Sequence, residues 1–170
     1  MGELDKLDVY ACSLPMPNPN EPKCNKWVEE ISRNIPEVSE DIFLIGHSLG
    51  TPAILNYLET LETEKRLGGV FLVAGPCEAL DINNSNSNIR KIDDFFTHLF
   101  DFEKIKNKAK KFIVIHGSDD KSVPLSHAEK TSKELNGELI IIKDGGHLSG
   151  WNGFNTLHQL LDKFKEITNL

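Results

Sequence analysis

The sequence predicts an α/β fold, a mostly parallel sheet of about five strands with helices on both faces. Short apolar runs rich in branched residues recur along the chain. Segments with helical periodicity separate these runs, so strands and helices are expected to alternate. Strands that are apolar throughout are typical of parallel sheets, because both faces of such a sheet are covered.

The predicted elements follow one another in regular order. Strands are expected at residues 7–14, 42–45, 70–74, 112–115 and 139–142. Helices are expected at residues 26–34, 49–61, 92–110, 125–135 and 154–167. A chain of this length can bury roughly 70% of its unfolded surface, so residues 1–170 are expected to form one domain. Residues 81–102 are expected to form a mobile loop, rich in Asn and Ser, followed by a lid.

Composition argues against several classes of partner. The formal net charge of −7 disfavours nucleic acid, because it repels phosphate. No apolar run reaches the roughly 18 residues of a membrane span, and the N-terminus does not resemble a signal peptide. We therefore expect a cytoplasmic protein that does not bind membranes. The three cysteines form no C-x-x-C pair, so neither a disulfide framework nor a metal site is expected.

The motif Gly46-His47-Ser48-Leu49-Gly50 lies between an apolar run and a helical segment. This context is typical of a nucleophile elbow, in which a strained turn exposes a serine hydroxyl. Pro52 is compatible with it, because proline is tolerated in the first turn of a helix. The simpler alternative is a glycine-flanked turn whose serine caps the helix.

Two further loops are expected at the same edge of the sheet. The turn at residues 117–120 follows the fourth predicted strand, and the turn at residues 144–147 follows the fifth. In open α/β sheets, ligands bind beyond the carboxyl ends of the strands. A serine needs a base to accept its proton, and an imidazole needs a carboxylate to fix its tautomer. The three loops offer Ser48, an aspartate and His147 for these roles.

Alternatives remain for two of these positions. Asp120 is favoured as the carboxylate, because its neighbour can cap the following helix, and Asp119 is the alternative. His116 is the serious rival of His147 as the base. The Gly145-Gly146 pair favours His147, because it permits a tight, open loop that could bring an imidazole to a distant serine.

Four motifs together resemble those of the α/β-hydrolase superfamily, specifically the small serine hydrolases of the retinoblastoma-binding-protein and YdeN type. They are residues 14–19, 46–50, 118–124 and 145–147. The resemblance implies hydrolysis of a carboxylic ester, thioester or amide through an acyl-enzyme, without a cofactor or metal. It assigns Ser48 as nucleophile, His147 as base and Asp120 as orienting carboxylate, and it implies a small-molecule acyl substrate.

The chain departs from this family in one respect. Relatives begin with a further strand and a His-Gly-type loop that supplies a backbone donor to the oxyanion, yet no glycine lies between Gly2 and Gly46. Leu49 N–H is then the one predictable oxyanion donor. An unpaired sheet edge is expected, which could pair with a second copy to form a homodimer. The alternative function is a weak or inactive hydrolase fold that acts as a binding module.

Aromatic residues near the predicted site suggest a substrate pocket. Phe95, Phe96 and Leu99 lie on one short helical stretch, and Trp151 follows His147. These side chains could line an acyl pocket. The alternative is that they belong to the core, as aromatic residues at this spacing usually do.

Overall fold

The structure, a computed structural model, describes residues 2–62, 64–80 and 89–170. Its helices and strands alternate over most of the chain. They are α1 (Gly2–Asp5), α2 (Cys24–Asn34), β1 (Phe43–His47), α3 (Gly50–Thr60), β2 (Gly69–Val73), a 3₁₀ helix (Ile89–Phe96), α4 (Phe102–Ile105), β3 (Phe112–Gly117), α5 (Leu125–Glu134), β4 (Glu138–Ile142), a second 3₁₀ helix (Gly150–Asn152) and α6 (His158–Thr168).

The described strands form one parallel sheet in the order β1-β2-β3-β4. The carboxyl ends of all four strands therefore lie at the same edge. The loops that follow β1 and β4 leave from the two outermost strands, three strand spacings or about 14 Å apart. For side chains of these two loops to meet, the loops themselves have to extend across the end of the sheet.

Helices cover both faces of the sheet, because successive side chains of a strand point to opposite sides. Val70 and Leu72 belong to a cluster that includes Leu55 and Leu58 of α3, both fully buried. The adjacent residues of β2 belong to the opposite cluster, which contains Phe164 of α6. The predicted α/β architecture with two covered faces is confirmed.

The strand predicted at residues 7–14 is wrong, since this segment forms no strand in the structure. Its apolar side chains are divided between the two faces of the sheet. Val9 packs on the α6 side, whereas Leu14 packs on the α3 side, and Tyr10 between them is 91% exposed. A strand requires a neighbour that accepts its backbone hydrogen bonds, and local apolarity does not supply one. The sheet thus has four described strands instead of about five.

The single helix predicted at residues 92–110 is also wrong. A 3₁₀ helix and the short α4 replace it, with a break at residues 97–101. Glu59 of α3 stabilises this break through both carboxylate oxygens. One accepts the Asp101 backbone N–H at 2.6 Å, and the other pairs with His98 Nε2 at 2.8 Å. Asp101 then caps α4 by accepting the Lys104 N–H at 2.9 Å. These tertiary contacts override the local helical pattern.

Part of the predicted loop and lid, residues 81–88, lies outside the described residues. The remainder, residues 89–102, contains the 3₁₀ helix, and its Phe95 packs edge-on against Trp27 of α2 at 5.5 Å between ring centroids.

Among the described helices, none has the length and apolarity to cross a membrane. The outer edge of β1 has no strand partner within the described ranges, and Ile45 there is 46% exposed.

Candidate active site

Ser48 follows β1 at the carboxyl edge of the sheet, in the turn that leads into α3. Its backbone is left-handed, with φ at 52°. Few residues other than glycine adopt this conformation, and it persists only where neighbouring contacts hold it. The Ser48 N–H donates to Val73 O at 2.9 Å, which ties the turn to the end of β2. This is the strained geometry that the elbow motif predicts.

Gly46 allows the close approach of strand and helix at the elbow. A Cβ atom at this position would lie 2.6 Å from Gly50 O and 2.7 Å from the Ile54 side chain. Gly50 itself faces open space, because nothing lies within 4 Å of a Cβ built there. Of the two motif glycines, only Gly46 is thus required by packing.

His147 is bonded to both Ser48 and Asp120. Its Nε2 lies 2.9 Å from Ser48 Oγ, and its Nδ1 lies 2.7 Å from Asp120 Oδ2. A carboxylate only accepts hydrogen bonds, so Nδ1 carries the proton and Nε2 can accept the Ser48 hydroxyl. The structure therefore brings together the three side chains that the sequence selected, from loops after β1, β3 and β4.

Asp120 is fully buried at its side chain and is held by backbone donors. Its Oδ1 accepts the N–H groups of Ser122 at 2.8 Å and Val123 at 3.1 Å, while Oδ2 faces His147. A buried carboxylate is tolerated when its oxygens are hydrogen-bonded in this way. Asp120 is thus oriented toward the imidazole by its own turn.

The two alternatives from the sequence have other partners. Asp119 accepts the Gly146 N–H at 2.7 Å, and the N-cap of α5 is Pro124, without a side-chain cap. The expectation that Asp119 caps this helix is therefore wrong. His116 is completely buried, and its Nε2 donates to Val123 O at 2.9 Å. It lies behind Asp120, with Nε2 3.5 Å from Asp120 Oδ2.

His47 has a contact that the sequence did not indicate. Its Nε2 lies 2.8 Å from His147 O. Burial lowers the pKa of His47, and the charge of a protonated His147 lowers it further, while the bond to the carbonyl raises it. No local signal could reveal this contact, because the two histidines are 100 residues apart.

The expected oxyanion donor and the expected pocket side chains have different surroundings. Leu49 N–H, the expected oxyanion donor, donates to no backbone acceptor in the loops and turns that the structure describes. Phe95 is fully buried in the core and Phe96 packs against that core, which fits the core alternative for these two rings. Leu99 is 83% exposed and Trp151 is 100% exposed, so both present apolar surface to solvent.

Among the described residues, no group of three or more His, Cys, Asp or Glu side chains could hold a metal ion. The site consists of a serine, an imidazole and a buried carboxylate in one hydrogen-bonded chain. Such a chain can move a proton from a hydroxyl to an imidazole as the hydroxyl oxygen attacks.

The chain is similar to known proteins over most of its length. The family model described as serine hydrolase matches residues 8–166. YdeN of Bacillus subtilis (strain 168), a protein named as a hydrolase, is 35% identical over 154 residues, which cover 91% of this chain and 78% of YdeN. The serine hydrolase RBBP9 of Rattus norvegicus is 22% identical over 165 residues, which cover 96% of this chain and 81% of that protein.

Solved structures share the fold. The crystal structure of the ydeN gene product from B. subtilis superposes with a TM-score of 0.91 at 32% identity, over 99% of this chain and 88% of that one. A meta-cleavage product hydrolase, CumD, gives a TM-score of 0.63 at 15% identity, over 86% of this chain and 72% of that one. At this lower identity the likeness concerns the fold alone.

Proposed function

Because this chain belongs to the serine hydrolase family, we propose that it hydrolyses a carboxylic ester, thioester or amide through an acyl-enzyme on Ser48. The observation that supports this proposal is the continuous chain of hydrogen bonds from Ser48 Oγ through the His147 ring to Asp120. The bond between Ser48 and His147 is within the distance at which a base can accept the proton of a nucleophile, and the bond to Asp120 orients that base.

In the proposed first half-reaction, Ser48 Oγ attacks the carbonyl carbon of the substrate and its proton passes to His147 Nε2. The bond to Asp120 stabilises the imidazolium that forms and keeps the ring oriented. Leu49 N–H donates to the oxyanion of the tetrahedral intermediate. His147 then gives its proton to the leaving alcohol, thiol or amine as the carbon–leaving group bond breaks.

In the proposed second half-reaction, His147 Nε2 accepts a proton from water as the water oxygen attacks the acyl carbon. The intermediate collapses, the bond to Ser48 Oγ breaks, and His147 returns the proton to that oxygen. The products are a carboxylic acid and free enzyme. The scheme uses only side chains and backbone groups of this chain, with water as the second substrate.

We further propose that the acyl group of the substrate is apolar. Trp151 stands four residues after His147, and its side chain is fully exposed. A tryptophan exposed to this degree leaves a large apolar surface in water, which an apolar ligand could cover. Leu99, also exposed, is the other candidate for contact with such a group.

A fluorophosphonate probe tests the nucleophile directly. We expect it to label the folded protein at Ser48, and we expect Ser48→Ala and His147→Ala to abolish the labelling. Ser32→Ala is the matched control, because Ser32 lies exposed on α2 and should leave labelling unchanged. Labelling that survives in Ser48→Ala or His147→Ala would refute the proposal. Absence of labelling in the folded wild type would instead favour the binding-module hypothesis.

A further inference from the structure

His47 joins two segments of the site that are far apart in the chain. It is the last residue of β1 and directly precedes Ser48, and its Nε2 lies 2.8 Å from the backbone carbonyl oxygen of His147. A carbonyl can only accept, so Nε2–H is the donor. The two imidazole rings also lie side by side, with centroids 5.0 Å apart and planes inclined by 55°.

The segment around His147 needs such support. Gly146 and Leu148, on either side of it, both have left-handed backbones, with φ at 53° and 47°. For Leu148 this conformation is unfavourable, so it persists only where neighbouring contacts maintain it. The His147 N–H donates to Asn152 Oδ1 at 3.2 Å, and the His147 carbonyl accepts from His47. Both backbone groups of His147 are thus hydrogen-bonded to side chains, the N–H to Asn152 and the carbonyl to His47.

On the basis of the function proposed above, we propose that His47 is a positioning residue, which holds the His147 backbone so that the imidazole stays in line with Ser48 Oγ. Its hydrogen bond fixes the distance between the end of β1, which carries the nucleophile, and the loop after β4, which carries the base. His47 does not touch the reacting atoms and acts through His147.

The charge state of His47 is consistent with this role. Burial lowers its pKa, which favours the neutral imidazole. A neutral ring retains the Nε2–H donor in the appropriate tautomer. It also adds no second positive charge beside His147 at the moment when that ring becomes an imidazolium.

Two isosteric substitutions test the proposal. In His47→Gln the amide nitrogen can occupy the position of Nε2 and donate to His147 O, whereas in His47→Asn the shorter amide falls near Nδ1. We expect His47→Asn to lower kcat about tenfold, the effect of losing one such bond, with KM changed less than about twofold. His47→Gln should recover most of that loss. Part of the His47 side chain remains exposed to solvent, so both variants should unfold at the wild-type temperature.

The outcomes separate this proposal from the proposed function. Equal kcat values for His47→Asn and wild type would overturn the positioning role, and so would equal losses in His47→Asn and His47→Gln. Both results count only if Ser48→Ala is inactive in the same assay. If Ser48→Ala retains activity, the proposed function itself fails, whatever the His47 variants do. A drop in kcat for His47→Asn with rescue by His47→Gln supports the role.

Discussion

The Asp119 carboxylate accepts the backbone N–H of Gly146 at 2.7 Å, so the residue adjacent to Asp120 bonds the same loop that carries His147. Asp120 contacts the imidazole and Asp119 contacts the backbone one residue earlier. Two neighbouring carboxylates of the turn after β3 therefore support the histidine loop, one through the backbone of Gly146 and the other through the ring of His147.

Substitution of the two acids should have unequal effects. Asp119→Ala removes the acceptor for Gly146 N–H, and we expect kcat to fall about tenfold, because the loop loses one of its bonds. Asp119→Asn keeps an acceptor oxygen and should lose less. Asp120→Asn should lower kcat by roughly 10⁴-fold, because the imidazole loses the carboxylate that fixes its tautomer. Steady-state ester hydrolysis measures all three, and similar losses for Asp119→Ala and Asp120→Asn would contradict this ranking.

The two elbow glycines should differ in their tolerance of alanine. In Gly46→Ala the new methyl would meet Gly50 O at 2.6 Å, a backbone atom that cannot move without displacing α3. We expect a loss of about 2–3 kcal/mol in the free energy of unfolding, typical of overpacking. Gly50→Ala meets nothing within 4 Å and should be neutral or stabilising by up to about 1 kcal/mol. Urea denaturation compares them, and equal midpoints would contradict the prediction.

Stability should decrease as the solution becomes acidic, in part through His127. This side chain is 7% exposed, its Nδ1 faces the Cys77 N–H, and burial lowers its pKa below the ordinary 6.5. The nearby charges of His116 and Lys130 also lower the pKa, whereas Glu78 raises it. Below pH 6.5 the unfolded chain binds a proton that the folded protein does not, so the folded state loses stability as pH falls toward the lower folded pKa.

His127→Asn isolates this contribution. Its amide oxygen can accept the Cys77 N–H in place of Nδ1, but it does not titrate. We expect Tm of the wild type to fall between pH 7.5 and 5.5, and Tm of His127→Asn to fall less over the same range. The pKa of His47 is lowered in the same direction, so part of the dependence should remain in the variant. Identical pH dependences would show that His127 is not responsible.

The homodimer expected from the sequence stays a prediction and can be tested at the β1 edge. This edge has no strand partner among the described residues, and it presents Ile45 without a charged side chain in β1. A dimer that pairs two β1 edges should have twice the 19.1 kDa mass of one chain. Ile45→Lys should convert it to monomer, because a lysine opposes edge pairing. Light scattering that finds the wild type monomeric would refute the dimer.

Trp151 should affect substrate preference more than catalysis itself. We expect Trp151→Ala to lower kcat/KM for long-chain esters about tenfold, since the variant no longer covers an apolar acyl group, and to leave acetate esters within about twofold. Because Trp151 is fully exposed, its substitution should leave the free energy of unfolding within about 0.5 kcal/mol of wild type. Parallel losses across the whole series would show that Trp151 does not contact the acyl chain.

The sequence alone determined most of the architecture and selected the residues of the candidate site. Continuous apolar runs predict buried parallel strands, and four of the five predicted strands are present. Ser48, Asp120 and His147 could be selected because each lies in the loop that follows a strand, and parallel strands end at one edge. Their catalytic roles stay a proposal, but the structure places their side chains within hydrogen-bonding distance.

The groups that support those side chains are set by long-range contacts of the folded chain. The bonds from Asp119 to Gly146 and from His47 to His147 join segments that are 27 and 100 residues apart, and periodicity says nothing about partners at such separations. The same reason explains the two errors in the predicted strands and helices. Residues 7–14 lack a neighbouring strand, and Glu59 interrupts the helix predicted at residues 92–110. Local pattern favours a conformation, whereas long-range hydrogen bonds and packing select the one that is formed.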